Sequence, residues 1–101
     1  MYVVIYRWSL KPGREDGFRQ AWAEITRVAR AQCGSFGSAL FRETGGDWIA
    51  IARWPDKAAM EACWQKNVVN PEAVAAMNDA IATRFGATEL VMDTNLWTPD
   101  Q

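Results

Sequence analysis

The spacing of apolar residues changes along this chain, and the order of the changes leaves few folds open. Tyr2 to Leu10 reads YVVIYRWSL, a β-branched and aromatic run too short for a helix and punctuated by Pro12-Gly13, so it predicts a strand. From Arg14 to Cys33 the apolar Phe18, Trp22, Ile25, Val28 and Ala29 return every three or four positions, with Arg19, Glu24, Arg27 and Arg30 elsewhere on the wheel. That is an amphipathic helix, with Glu15 and Asp16 in its first turn and Gly34 placed as a left-handed cap. Phe36 to Glu43 and Trp48 to Trp54 are strand-length runs joined by Thr44, Gly45, Gly46 and Asp47, which predicts a hairpin. Asp56 offers an N-cap for the alanine-rich segment Lys57 to Lys66. The pattern lapses from Asn67 to Asn70. Asn70-Pro71 then restarts a helix whose Val74, Met77, Ile81 and Phe85 share a face before Gly86, and Thr88 to Trp97 reads as the last strand.

The order β-α-β-β-α-β is the split βαβ arrangement, in which four antiparallel strands carry the helices on one face. The expected fold is α+β with ferredoxin-like topology, and 101 residues bury one core, so residues 1–101 are read as a single domain. Alternation sends Tyr2, Val4, Tyr6 and Trp8 to one face of the sheet together with Trp48, Ala50, Ala52 and Trp54. The compact aliphatic set Val3, Ile5, Ile49 and Ile51 is expected beneath the helices, which leaves the ring-rich even set on the open face. Such a patch is larger than a soluble monomer usually exposes, so a second copy of the chain, a stacked base or a flat ligand should cover it. Eleven basic residues against twelve acidic ones leave no positive surplus for a nucleic acid or an anionic membrane. No run approaches the roughly 18 apolar residues of a membrane span, and the N-terminus opens in a strand without a signal pattern, so a cytoplasmic setting is expected. Cys33 and Cys63 lack the short spacing of a zinc or redox motif and are expected as reduced, buried packing residues. Histidine is absent, which removes the commonest general base and the commonest metal ligand together.

Three passages, VVIYRWSLKPGREDGF, CGSFGSALFRE and IAIARWPDKAAMEACWQ, together with the helix broken at Asn70-Pro71-Glu72, resemble the antibiotic biosynthesis monooxygenase-like family of the dimeric α+β barrel superfamily. The resemblance covers nearly the whole chain. It implies a homodimer formed sheet to sheet, with a pocket on each subunit between sheet and helices. It also implies an activity found in part of the family, the oxidation of a small electron-rich aromatic substrate by O₂ without a cofactor. Tyr6, Trp64, Asn95 and Arg42 are then the candidate catalytic residues, and Trp8 and Trp54 the candidate substrate-binding ones. Each has a plain alternative: Tyr6 and Trp8 as dimer packing, Trp54 as a strand-end plug, Asn95 and Arg42 as solvated strand residues.

The haem-degrading branch of the superfamily fits less well. Trp64 matches that branch's pocket tryptophan, but Tyr6 stands in place of its strand-one asparagine and the iron-ligating histidine has no counterpart. Ala73 occupies the place where related branches carry another histidine. No metal or cofactor is expected, and no phosphate loop or nucleophile elbow is present. The alternative to an oxygenase is a non-catalytic dimer of the same fold that binds a small molecule or serves assembly alone.

Overall fold

The sheet is built around the first strand. In a computed structural model, which describes residues 1–98, β1 (Tyr2–Leu10) pairs antiparallel on one side with β3 (Trp48–Trp54) and on the other with β4 (Ile81–Val91). β2 (Gly37–Arg42) pairs with β3, giving the four-stranded order β2-β3-β1-β4. This is the antiparallel ferredoxin-like sheet expected from the sequence. The helices are α1 (Glu15–Cys33), α2 (Lys57–Lys66) and α3 (Pro71–Ala80).

The local signals hold at the helix ends. Gly34 takes the left-handed conformation at φ 72° and its N–H reaches the Ala29 carbonyl. The Asp56 side chain accepts from the Ala59 N–H at 2.8 Å, and that of Asn70 from the Glu72 N–H at 2.9 Å, ahead of Pro71. Between these helices Asn67 is left-handed at φ 54°, which an asparagine tolerates better than most side chains and which ends α2.

The last strand differs from expectation. Ile81 does not continue the helix; β4 begins there, pairing Ile81 with Leu10, and ends at Val91 rather than Trp97. The free edge of β1 decides the matter, because only a strand alongside it satisfies that row of backbone groups. Gly86, read as a helix end, is instead at φ 88° where Tyr6 pairs with Ala87 but Trp8 with Arg84, so two β4 residues oppose Arg7 in a bulge.

The two faces of the sheet are also exchanged relative to expectation. Tyr2, Val4, Trp8, Trp48, Ala50 and Trp54 are all buried under the helices, while Ile5, Ile49 and Ile51 lie on the open face with exposed Phe41 and Leu90. Alternation separates the two sets but does not say which meets the helices; volume does. The helices bring mostly small residues to the contact, Ala21, Ala29, Ala73 and Ala80, so the large rings that fill the layer come from the sheet. Phe18 and Met60 are the exceptions: Phe18, fully buried, meets Trp8 edge-on at 5.2 Å and Trp48 at 6.0 Å, and Met60 packs in one cluster with Trp54.

The cysteines are not free. Cys33, the last residue of α1, and Cys63 of α2 form a disulfide with their Cα atoms 5.4 Å apart, inside the ordinary range. A separation of 30 residues carries no motif, and only the packing of α2 on the end of α1 brings the pair together.

At the edge of the same layer the Tyr2 hydroxyl donates to Glu89 of β4, which also lies 4.0 Å from Lys57. Burial, the hydrogen bond to Glu89 and its charge push the Tyr2 phenol up to about 12, so it is protonated in the folded protein well past its ordinary value of 10.0. The folded-state value lies above the unfolded one, so this contribution to stability is complete below pH 10 and is lost as pH rises toward 12. Base unfolding followed by circular dichroism should therefore steepen between pH 10 and 12, and Tyr2→Phe should lessen that steepening; an unchanged profile in the variant would contradict this coupling.

Candidate functional site

Two aromatic clusters hold the helices off the sheet. Tyr2, Trp54, Met60 and Cys63 pack at one end of the layer, and Trp8, Phe18, Trp48 and Ile81 at the other. Between them the floor is low, because β3 presents Ala50 and Ala52 and α1 faces them with Ala29. Large rings at the ends and small side chains in the middle leave a cavity of about 350 Å³, within the range of small-molecule sites.

The even positions of β1 and β3 supply the floor: Tyr6, Trp8, Ala50, Ala52 and Trp54. Trp22, Ile25 and Thr26 of α1 form one wall. The other wall is Cys63 and Trp64 of α2, Asn67 and Val69 of the interruption, and Val74, Met77 and Asn78 of α3. Tyr6 and Trp8 stack at 5.6 Å with planes 4° apart, and Trp54 meets Trp64 edge-on at 5.7 Å. The result is a slot with an aromatic floor, suited to a flat guest.

Its charge is unusual. Among the described residues the lining holds no Asp, Glu or Lys, and one cation, Arg84 of β4. Arg84 is brought to this face by pairing with Trp8 just before the bulge. Its guanidinium donates to the Asn78 side-chain oxygen, and among the described residues no carboxylate pairs with it. Tyr6 is the one weak acid of the lining, and burial first, then the charge of Glu89, pushes its phenol up from 10.0. At neutral pH it is a hydrogen-bond donor rather than a base. The indole N–H of Trp54, a residue only 2 % exposed, has no partner among the described residues.

Four residues singled out from the sequence, Tyr6, Trp8, Trp54 and Trp64, meet around this cavity. Arg42 and Asn95 are not in its lining. Arg42 ends β2, exposed, with its guanidinium carbon 5.8 Å from the Trp48 ring centroid. Asn95 follows the end of β4, exposed, and its side-chain oxygen accepts from the Trp97 N–H at 2.9 Å. Reading the strand as Thr88 to Trp97 puts its start seven residues and its end six residues too late, which places Asn95 on the sheet and Arg84 on a helix. The β-branched and aromatic composition of Ile81 to Phe85 was the signal for the opposite reading. No group of three or more metal-binding side chains occurs among the described residues, and none of their helices is long and apolar enough to cross a membrane.

Comparison with solved structures finds the same architecture in several proteins. SnoaB, a cofactor-independent oxygenase from Streptomyces nogalater, superposes with a TM-score of 0.74 at 17% identity, covering 94% of this chain and 95% of that one. A Chloroflexus aurantiacus protein put forward as an antibiotic biosynthesis monooxygenase gives 0.75 at 18% identity, over 93% and 94% of the two chains. Rv0793 from Mycobacterium tuberculosis gives 0.73 at 16%, over 95% and 98%. At these identities the likeness speaks for the fold. No curated protein matches the sequence. The family model described as antibiotic biosynthesis monooxygenase matches residues 1–76, from β1 into α3, and the chain therefore belongs to the antibiotic biosynthesis monooxygenase family.

Proposed function

We propose that the cavity binds a small, electron-rich aromatic molecule as its phenolate or enolate, and that the protein lets O₂ oxidise the bound anion without a cofactor. The observation that carries this reading is the pairing of a ring-lined slot with a single cation, Arg84, that no carboxylate among the described residues neutralises. Family membership and the resemblance in fold to SnoaB point the same way.

A neutral phenol reacts slowly with O₂, and its anion gives up an electron far more readily. The protein's work is thus to favour the anion and to hold it. Arg84 stabilises the oxyanion by charge, and Tyr6, protonated at neutral pH, can donate a hydrogen bond to it; oriented donors of this kind act most strongly where water is scarce. Arg42 and Asn95, candidate catalytic residues in the sequence, do not line the cavity, so the oxyanion is assigned to Arg84. Trp8, Trp54 and Trp64 fix the ring's orientation. No lining group is a ready base, so the phenolic proton leaves to water. In a monooxygenation of this type a ring CH₂ becomes C=O, one oxygen atom enters the product and the other leaves as water, and the substrate supplies the electrons.

The open face suggests the partner. Ile5, Ile49 and Ile51 with exposed Phe41 and Leu90 form a cover site for a second copy, sheet against sheet, on the odd face and not the even one. Light scattering should report twice the 11.4 kDa chain mass, and Ile51→Glu should return the monomer. A wild-type monomer at micromolar concentration would remove this assembly.

The activity is tested by mixing metal-stripped protein with anthrone-like and dihydroxy-aromatic compounds under air and following O₂ uptake and quinone formation. Turnover should survive chelation and fall at least about tenfold, some 1.4 kcal/mol of barrier, in Arg84→Gln. Tryptophan quenching without O₂ uptake across the panel would instead identify a binding protein, and absence of both would leave an assembly domain.

A further inference from the structure

We infer that the Cys33–Cys63 disulfide is a redox latch on the cavity wall: thiol reduction releases α2 and opens the site. The inference adds control to the aromatic-binding reading and rests on that reading only for what the cavity holds.

The bond lies where a latch would act. Cys63 lines the cavity, and the next residue, Trp64, closes its wall against Trp54. Of the ten residues of α2 only Met60 and Cys63 are buried, while Trp64 is 45 % exposed. A helix this short has little stability of its own and depends on such anchors. It is followed by Asn67, left-handed, and by Val69, both also in the lining. The staple therefore ties one wall of the cavity to the end of α1, the element that forms the opposite wall. Without it, α2 and the 67–70 segment are held by Met60, by the Trp54–Trp64 contact, by the partly buried Ala59 and Val68, and by two exposed polar ties, Asn70 donating to Glu24 and Lys57 beside Glu89.

The chemistry has one open direction. Cys63 is 1 % exposed, whereas Cys33 is only partly buried, so an incoming thiolate reaches the Cys33 sulfur. Attack there forms a mixed disulfide on Cys33 and expels Cys63 as a thiolate, which takes up a proton. A second thiol resolves the mixed disulfide, so two small thiols become one disulfide and the protein gains two thiols. In a cytoplasmic setting the reductant would be a glutathione- or thioredoxin-class thiol. Reduction also leaves a thiol in a lining that otherwise has Tyr6 and Arg84 as its ionisable groups.

Amide hydrogen exchange on the oxidised protein and on protein reduced with a phosphine tests the latch. Exchange across Ala59 to Val69 should accelerate at least about tenfold more than exchange in β1 and β3. Binding of an anionic anilinonaphthalene probe, followed by fluorescence, should weaken in parallel and recover on reoxidation. Cys33→Ser should behave as the reduced protein does. Equal acceleration in α2 and the sheet, or none in either, would overturn the latch. Probe binding to neither form with α2 selectively loosened would keep the latch and count against the aromatic-ligand reading.

Discussion

The packing of sheet rings onto alanine faces of the helices is the interaction on which the rest of this structure depends. Trp8, Trp48 and Trp54 are nearly fully buried, and the buried residues of α1 and α3 are mostly alanines, with Phe18 of α1 and Met60 of α2 as the large buried side chains returned by helices. Large against small fills the two ends of the layer densely. The middle, where small meets small at Ala29, Ala50 and Ala52, cannot be filled, and there the cavity lies. The same choice puts the branched aliphatic residues on the other face of the sheet, where they form an apolar surface without a helix to cover it. Cavity and open face are thus two consequences of one distribution of volume.

The electrostatics of the cavity follow from the same exclusion. A slot walled by rings and aliphatic chains offers little solvation, so a charge placed in it must be answered locally. The chain supplies one answer, Arg84, and holds it with a neutral amide, Asn78, rather than a carboxylate that would cancel it. Tyr6 is kept protonated by burial and by the nearby charge of Glu89, which suits a donor and disfavours a base. A lining with a cation, a phenol donor and, among the described residues, no carboxylate is arranged to receive an anion, as the proposed chemistry on an aromatic anion requires.

Much of this was legible in the residues. The helix caps at Gly34, Asp56 and Asn70, the hairpin through Gly45-Gly46 and the interruption at Asn67 to Asn70 are local chemistry and stand as expected. The family resemblance pointed to Tyr6, Trp8, Trp54 and Trp64 as pocket residues, whereas alternation grouped the first three on one face without saying that this face meets the helices. What failed was non-local. The inward face depends on volumes two elements away, the start of β4 depends on the unpaired edge of β1, and the disulfide depends on how α2 docks on α1. Arg84 went unseen for the second of these reasons: read as part of a helix, it had no path to the sheet's inner face.

The central claim is that the cavity stabilises an aromatic oxyanion, and the pKa of a bound phenol tests its sign directly. An apolar slot acting through desolvation alone would raise that pKa, whereas a cation and a donor placed against the oxygen lower it. A hydroxyanthraquinone whose absorbance reports ionisation can be titrated free and bound to saturating protein. The account predicts a bound pKa at least about one unit below the free value, equivalent to about 1.4 kcal/mol of preference for the anion. A bound pKa equal to or above the free one would contradict it.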